Sequence, residues 1–282
     1  MKYIEYRVSG IPDEEMSEIV VAELAELGFE SFSEWDPVQA MIVGYLPQSQ
    51  AGNEPEIRAY LETSGRPYER QELADDTNWN AVWESQFEPI LLAGRCYVRA
   101  PFHPRRTDVE HEVVIMPKMS FGTGHHATTS LMLERLMELD LTGKTGLDMG
   151  SGTGVLAILA VQRGAAHVDA IDIDRWAYEN ALENSEINGV SDRISIFEGD
   201  ASLLTEPGKY DFILANINRN ILLADMEHYA RALKPGGAIL FSGFLEVDIP
   251  AIMRRAEALG LNFTLSRLKE GWALIECKKE NK

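Results

Sequence analysis

Gly146-Leu147-Asp148-Met149-Gly150-Ser151-Gly152-Thr153-Gly154 stands where a short apolar run gives way to the helical run Val155–Arg163. A reversal from strand to helix needs backbone freedom. Glycines at 150, 152 and 154 supply it and let a ligand approach the helix N-terminus. Nicotinamide enzymes use a similar turn, but their third glycine falls three positions after the second, where this chain has Val155, so the spacing disfavours NAD. Asp148, directly ahead of the glycines, would repel a pyrophosphate and is compatible with a zwitterionic ligand that carries a cationic sulfonium.

Downstream of this turn, apolar strands alternate with helical segments, the signature of a doubly wound parallel sheet in an α/β fold. The strands read as Thr145–Met149, His167–Ile171, Arg193–Phe197, Tyr210–Ala215 and Ala238–Ser242, and Asn262–Lys269 and Trp272–Cys277 form a closing hairpin, seven strands in all. The second strand ends in Asp172, 22 residues after Gly150, where a carboxylate can accept from both hydroxyls of a ribose. Asp174 reads as the cap of the next helix, whose apolar face includes Ala177 and Ala181. The third strand leads to Gly199-Asp200-Ala201, a position suited to an adenine edge, and the fourth ends in Asn216, at the rim beside a reacting group. Taken singly, Asp172 is a plain capping residue and Asn216 a turn former; their arrival in this order outweighs that reading.

The front of the chain has a different pattern. Ile4, Tyr6 and Val8 alternate with Glu5 and Arg7 as in a half-buried strand. A helix follows, with Met16, Ile19, Val20, Leu24 and Leu27 at helical spacing, acidic residues in its first turn and Gly28 to close it. Strand-like Glu30–Glu34 and Gln39–Leu46, a helix near Glu54–Thr63 and a strand near Tyr68–Glu72 complete a β-α-β-β-α-β order. That order predicts a small α+β ferredoxin-like domain over residues 1–75. Trp79, Trp83 and Phe87, spaced by four, predict a short linker helix in a linker spanning 76–92. Strands near Gly94–Ala100 and His111–Met116 then open the larger domain, 93–282.

A chain of 282 residues with 45% hydrophobic and 25% charged side chains suits two folded domains. No apolar run approaches the ~20 residues of a membrane span, and the first residues lack the apolar core of a signal peptide, so a cytoplasmic location with no membrane contact is expected. Cys96 and Cys277 read as buried reduced thiols. The net charge of −19 is uneven: residues 1–76 hold 17 acidic and 5 basic side chains, net −12. Such a front end argues against direct contact with nucleic acid, which needs clustered Lys and Arg, and suits a basic protein partner; an acidic surface that serves only solubility is an equal alternative.

The ordered set Asp148–Gly154, Asp172 and Asn216 resembles the Class I S-adenosylmethionine-dependent methyltransferases over about Thr145 to Cys277. A narrower resemblance lies upstream, where Phe121-Gly122-Thr123-Gly124-His125-His126-Ala127-Thr128-Thr129 is similar to the Phe-Gly-Thr-Gly-x-His-x-Thr-Thr signature of methyltransferases that modify ribosomal large-subunit protein L11. The acidic front domain and aromatic linker fit the same family. The resemblance implies S-adenosylmethionine as cofactor. It also implies binding by Phe121, Gly122, Thr123, Gly124, His126, Thr129, Asp148, Gly150, Gly152, Gly154, Asp172, Ile173, Asp200, Ala201 and Asn216, with Asn216 the catalytic residue. The chain departs from the family at Met116-Pro117-Lys118-Met119-Ser120, where Asp-Pro-Gly-apolar-Ala is usual. Read from its residues, the upstream loop is a flexible polar cover opening an amphipathic helix, Ser130–Leu139, anchored by Met132, Leu136 and Leu139. Adjacent His125 and His126 lack the spacing of paired metal ligands, and no metal is expected.

Asn216 begins Asn-Ile-Asn-Arg, without the Pro-Pro-aromatic surface on which flat acceptors stack. A flexible amine such as lysine fits better. The expected activity is transfer of methyl groups to lysine side chains, and to the N-terminal amine, of ribosomal protein L11. The rivals are a methyltransferase for another protein or a small molecule, with a front domain that serves oligomerisation, and a non-enzymatic binding module on the cofactor fold.

Overall fold

Alternating Ile4, Tyr6 and Val8 build strand β1 (Tyr3–Ser9), the first element of a computed structural model that describes residues 3–33, 35–72, 88–118 and 121–281. Helix α1 (Glu14–Glu26) starts where the Asp13 carboxylate accepts from the Met16 N–H at 2.8 Å. Strands β2 (Ser31–Phe32), β3 (Met41–Pro47) and β4 (Tyr68–Glu72) join β1 in an antiparallel sheet of order β2-β3-β1-β4, with α2 (Glu54–Thr63) between β3 and β4. Ile4, Val8, Val20, Leu24, Ile42, Leu46, Ile57 and Leu61 form its core. Ile19, expected on the buried stripe of α1, is exposed beside Val20. β3 starts two residues later than expected because Asp36 nucleates a turn, accepting from the Val38 and Gln39 N–H groups at 2.8 and 3.0 Å. β2 shrinks to two residues.

The chain divides into two compact units, Met1–Gln86 and Phe87–Lys282. The expected linker helix with Trp79, Trp83 and Phe87 lies outside the described residues.

The second unit opens with a three-stranded sheet of β5 (Ile90–Leu92), β6 (Cys96–Arg99) and β7 (His111–Val114). Then come α3 (Ala127–Leu136), β8 (Thr145–Met149), α4 (Val155–Gln162), β9 (His167–Asp172), α5 (Arg175–Ile187), β10 (Ile194–Glu198) and β11 (Tyr210–Asn216). α6 (Arg219–Ala232), β12 (Leu233–Leu245), α7 (Ile249–Ala258), β13 (Leu261–Lys269) and β14 (Trp272–Lys279) complete the chain. The seven-stranded sheet has order β10-β9-β8-β11-β12-β14-β13; the first five strands are parallel, and β14 runs antiparallel between its neighbours. Helices cover both faces, so the parallel strands are mostly apolar rather than alternating, with Asp148, Asp169 and Asp211 inside them. Leu131, Leu136, Ile158 and Leu159 pack on one face and Leu222, Met226, Tyr229 and Ile252 on the other. β8 has β9 on one side and β11 on the other, and this reversal of strand order opens a crevice beyond their carboxyl ends. No helix among the described residues is long and apolar enough to cross a membrane.

Candidate active site

A cavity of about 560 Å³ occupies that crevice. Its floor is the glycine turn. The Gly150 and Ser151 N–H groups donate to the Ile171 carbonyl at 2.8 and 3.1 Å, tying the turn to β9. Asp172, at the end of β9, accepts from the Gly152 N–H through Oδ2 at 2.8 Å and from the Asp174 N–H through Oδ1 at 3.0 Å. Each oxygen keeps a further lone pair for a ligand hydroxyl, and the residue lines the cavity. Asp174 caps α5, accepting from the Trp176 N–H at 2.6 Å. Asp172→Ala is therefore expected to weaken S-adenosylmethionine binding at least ~10-fold, since bonds to a charged acceptor are worth roughly 1.5–3 kcal/mol each. It should also lower the melting temperature, because two backbone N–H groups lose their acceptor. Calorimetric titration giving wild-type affinity would remove Asp172 from the binding site.

A strap formed by residues 121–126 lies on this turn. The Thr153 N–H donates to the Phe121 carbonyl at 2.9 Å and the Thr153 hydroxyl to the Gly122 carbonyl at 2.7 Å. A Cβ at Gly152 would sit 2.2 Å from the Phe121 carbonyl oxygen, so this glycine makes room for the strap's backbone as well as bordering the cavity. Gly150 is crowded differently, with the Ile217 Cγ2 2.1 Å from where its Cβ would stand. At the end of the strap the His126 ring caps α3. Its Nδ1 accepts from the Thr128 N–H at 3.3 Å and lies 2.8 Å from the Thr128 hydroxyl. The helix thus starts at Ala127, three residues earlier than expected, and Thr128, Thr129 and Ser130 are buried instead of forming a polar cover. The His126 ring meets Phe121 and Trp272 edge-on, with centroids 5.2 and 4.6 Å apart.

Behind the strap, α5 and its C-cap present Asn180, Asn184 and Asn188 one turn apart. Asn188 bonds both ways with the Val114 backbone at 2.9 and 2.6 Å. Asn184, fully buried, accepts from the Met116 N–H at 2.8 Å and donates to the Thr153 carbonyl at 2.9 Å. The amides replace a missing neighbour strand and join the segment leading to the strap to the glycine turn.

Asn216 ends β11 at the cavity wall, 9% exposed. Its amide nitrogen donates to the Thr129 hydroxyl at 3.4 Å, and its carbonyl oxygen has no partner. A buried amide oxygen without a donor is costly unless a ligand supplies one.

The family model for ribosomal protein L11 methyltransferase matches residues 11–280. The chain belongs to the ribosomal protein L11 methyltransferase family. A protein of that name from Porphyromonas gingivalis is 45% identical over 98% of this chain and 97% of its own length, and one from Bacteroides fragilis is 43% identical over 98% and 99%. The crystal structure of a ribosomal protein L11 methylase from Lactobacillus delbrueckii subsp. bulgaricus superposes with a TM-score of 0.62 at 27% identity, covering 69% of this chain and all of that one. The seven-stranded sheet is that of a Class I methyltransferase.

Of the residues the family signature points to, Phe121, His126, Gly150, Gly152, Asp172, Ile173, Asp200 and Asn216 line the cavity. Gly122, Thr123, Gly124, Thr129, Asp148, Gly154 and Ala201 do not. Gly122 and Gly124 give the strap its course, the Gly124 carbonyl accepting from the Ser130 hydroxyl at 2.9 Å, and Thr123 lies 3.1 Å from the His125 ring. Thr129 stands behind Asn216, Gly154 packs against Ala181 and Ala201 is buried under the adjoining turn. Sequence reasoning missed Thr128, Ile217, Asn218, Ile221, Asp225 and Trp272, all on the wall. Asn218, Ile221 and Asp225 share one helical stripe directly after Asn216, a signal that was available; Trp272 is brought in by the hairpin topology and gave none.

Asp148 is compatible by sequence with a cationic sulfonium ligand and is among the residues the resemblance assigns to the cofactor. It is wholly buried on the α4 side of the sheet, opposite to Met149, which does line the cavity. Oδ2 accepts from the Ala157 N–H at 3.1 Å while Oδ1 has no partner. Burial pushes its carboxyl up to about 8, opposed by the Ala157 N–H and aided by the charge of Asp172. The folded protein thus binds a proton that the unfolded chain, with a carboxyl near 3.9, has released. The stabilisation is complete below about pH 4 and is lost as pH rises to about 8, by up to roughly 1.4 kcal/mol per unit. The stability of Asp148→Asn relative to wild type should accordingly grow between pH 5 and pH 8 in urea unfolding. A constant difference would mean that Asp148 is ionised in the fold.

Proposed function

We propose that this chain is a cytoplasmic enzyme that transfers methyl groups from S-adenosylmethionine to amino groups of ribosomal protein L11, at lysine side chains and at the N-terminal amine. The observation that carries the reading is the unpartnered carbonyl oxygen of Asn216 on a cavity wall that, among the described residues, offers carboxylates and no lysine or arginine. Such a wall suits a cationic, hydroxyl-bearing cofactor and a cationic acceptor. Asp172 would take the ribose hydroxyls, Ile173 and Asp200 would border the adenine, and the glycine turn would underlie the rest. The cofactor supplies an electrophilic methyl group on a cationic sulfur.

A lysine amine with an ordinary value near 10.4 is only ~0.1% neutral at pH 7.5. Desolvation in the cavity would lower that value, whereas the carboxylates on its wall act in the other direction. Asn216 then accepts an N–H of the neutral amine and aims its lone pair, while the Thr129 hydroxyl fixes the amide's rotation. Catalysis here is chiefly alignment and desolvation. Transfer of labelled methyl from S-adenosylmethionine to purified ribosomal protein L11 tests the reading. Label on its amines is expected; label appearing only on another protein of a total ribosomal extract would move the activity to a different substrate.

The same proposal assigns residues 1–75 to substrate recognition. Their net charge of −12 over residues 1–76 suits a basic protein, and they fold as a unit with its own core. A chain that begins at residue 76 is expected to bind S-adenosylmethionine nearly as well as the full chain and to lose most methylation of the ribosomal protein. Raised salt should reproduce part of that loss in the full chain, because exposed charge attraction is screened beyond about 8–10 Å. Wild-type methylation by the folded, shortened chain would favour oligomerisation as the front unit's role.

A further inference from the structure

Four carboxylates line the cavity: Asp172, Asp174, Asp200 and Asp225. Three have work in the fold. Asp172 ties down the glycine turn, Asp174 caps α5, and Asp200 accepts from the Ser202 N–H at 2.8 Å to start the turn after β10. All three stand at the ends of β9 and β10, on one side of β8. Asp225 stands on the other side, on α6, which follows β11 and Asn216. It lies two turns into the helix, so it caps nothing; Asn218 does that by accepting from the Ile221 N–H at 3.1 Å. Its one hydrogen bond among the described residues comes from the Tyr229 hydroxyl at 3.4 Å, and no cation pairs with it there. Leu222, Met226 and Tyr229 turn into the core, whereas Asn218, Ile221 and Asp225 face the cavity. The buried Tyr229 hydroxyl needs an acceptor, but an amide oxygen would serve it as well, so nothing in the packing of α6 calls for a negative charge at 225.

We infer that Asp225 is the specificity-determining carboxylate of the acceptor side, an anchor that selects a cationic amine and delivers it to Asn216. The inference rests on the reading of Asn216 as the acceptor site. A lysine reaches the enzyme protonated, and a half-buried carboxylate with no internal cation attracts it more strongly than an exposed one. The anchor acts on capture and not on the methyl transfer: a carboxylate beside the amine favours its charged form, which does not react. Asp225 is therefore a positioning residue whose effect belongs in KM.

The test is steady-state and single-turnover methylation of ribosomal protein L11 by full-length Asp225→Asn, Asp225→Glu and Asp225→Lys. Asp225→Asn should raise KM for the protein about tenfold, leave the saturating single-turnover rate within about threefold, leave S-adenosylmethionine affinity unchanged by calorimetry, and weaken the dependence of kcat/KM on salt. Asp225→Glu should restore KM and the salt dependence, and Asp225→Lys should lower kcat/KM at least a hundredfold with wild-type cofactor affinity as proof of folding. Wild-type KM and salt dependence in Asp225→Asn would overturn the anchor while leaving the functional reading intact. Weakened cofactor binding with unchanged KM would overturn it by moving Asp225 to the cofactor side. If the wild-type enzyme left L11 unmethylated, the functional reading itself would fail, and the anchor with it.

Discussion

Gly152→Ala is expected to weaken S-adenosylmethionine binding at least a hundredfold, whereas Gly189→Ala should leave it unchanged. Both glycines have left-handed φ, +53° and +66°, so both substitutions strain the backbone by about 1–3 kcal/mol. Only at 152 does the new methyl group meet anything. Its Cβ would lie 2.2 Å from the Phe121 carbonyl oxygen, while the space around Gly189 is open to 4 Å. The obstacle is backbone, so no rotamer change relieves it, and overpacking adds roughly 1–3 kcal/mol. Either the strap lifts off the turn or the turn moves, and each removes part of the cavity wall. A loss of about 3 kcal/mol exceeds a hundredfold in affinity. Calorimetric titration of the two variants decides the matter, and equal effects would show that the strap does not depend on the space at 152.

Asn216→Ala should lower the single-turnover rate by about 10²–10³ while S-adenosylmethionine affinity changes little. Losing an oriented hydrogen-bond partner at a reacting centre costs on this scale, since small misplacements of the nucleophile are amplified. The variant also strips the buried Thr129 hydroxyl of its contact, at about 1 kcal/mol. Asn216→Asp separates the two effects. Its carboxylate still offers the amine an oxygen, and the Thr129 hydroxyl can rotate to donate to it. It should therefore retain clearly more activity than Asn216→Ala. Equal rates in the two variants would take the acceptor-orienting role away from Asn216.

The parts of the fold that were legible beforehand are those whose burial is written as a short, mostly apolar run. Thr145–Met149 matches β8 and Tyr210–Ala215 matches β11 to within one residue, because parallel strands covered on both faces tolerate little else. Asp172 and Asn216 were legible for a related reason: each is the polar residue that closes such a run, after Ala170-Ile171 and Phe212–Ala215. Charge and hydroxyl content misled elsewhere. Thr128 and Thr129 read as polar cover, yet their hydroxyls are satisfied by His126 and Asn216 and the residues are buried. Histidine is outside the usual capping set, so the start of α3 was placed too late. Asp148 reads as a ligand contact only if it is assumed to be ionised. Trp272 reaches the cavity because β14 inserts between β12 and β13, and no local pattern announces that pairing.

The two crowded glycines leave different routes open to inheritance. At Gly150 the obstruction is the Cγ2 methyl on the β-carbon of Ile217, which alanine at 217 would remove. A lineage can therefore give up Gly150, at the cost of some backbone strain, provided that position 217 shrinks first; in the reverse order the intermediate is crowded out. Gly152 has no such partner, since a main-chain carbonyl cannot mutate away. Positions 150 and 217 are thus free to change as an ordered pair while 152 stays fixed. Ile217 also borders the cavity next to Asn216, so any lineage that took this route would widen the cavity beside Asn216.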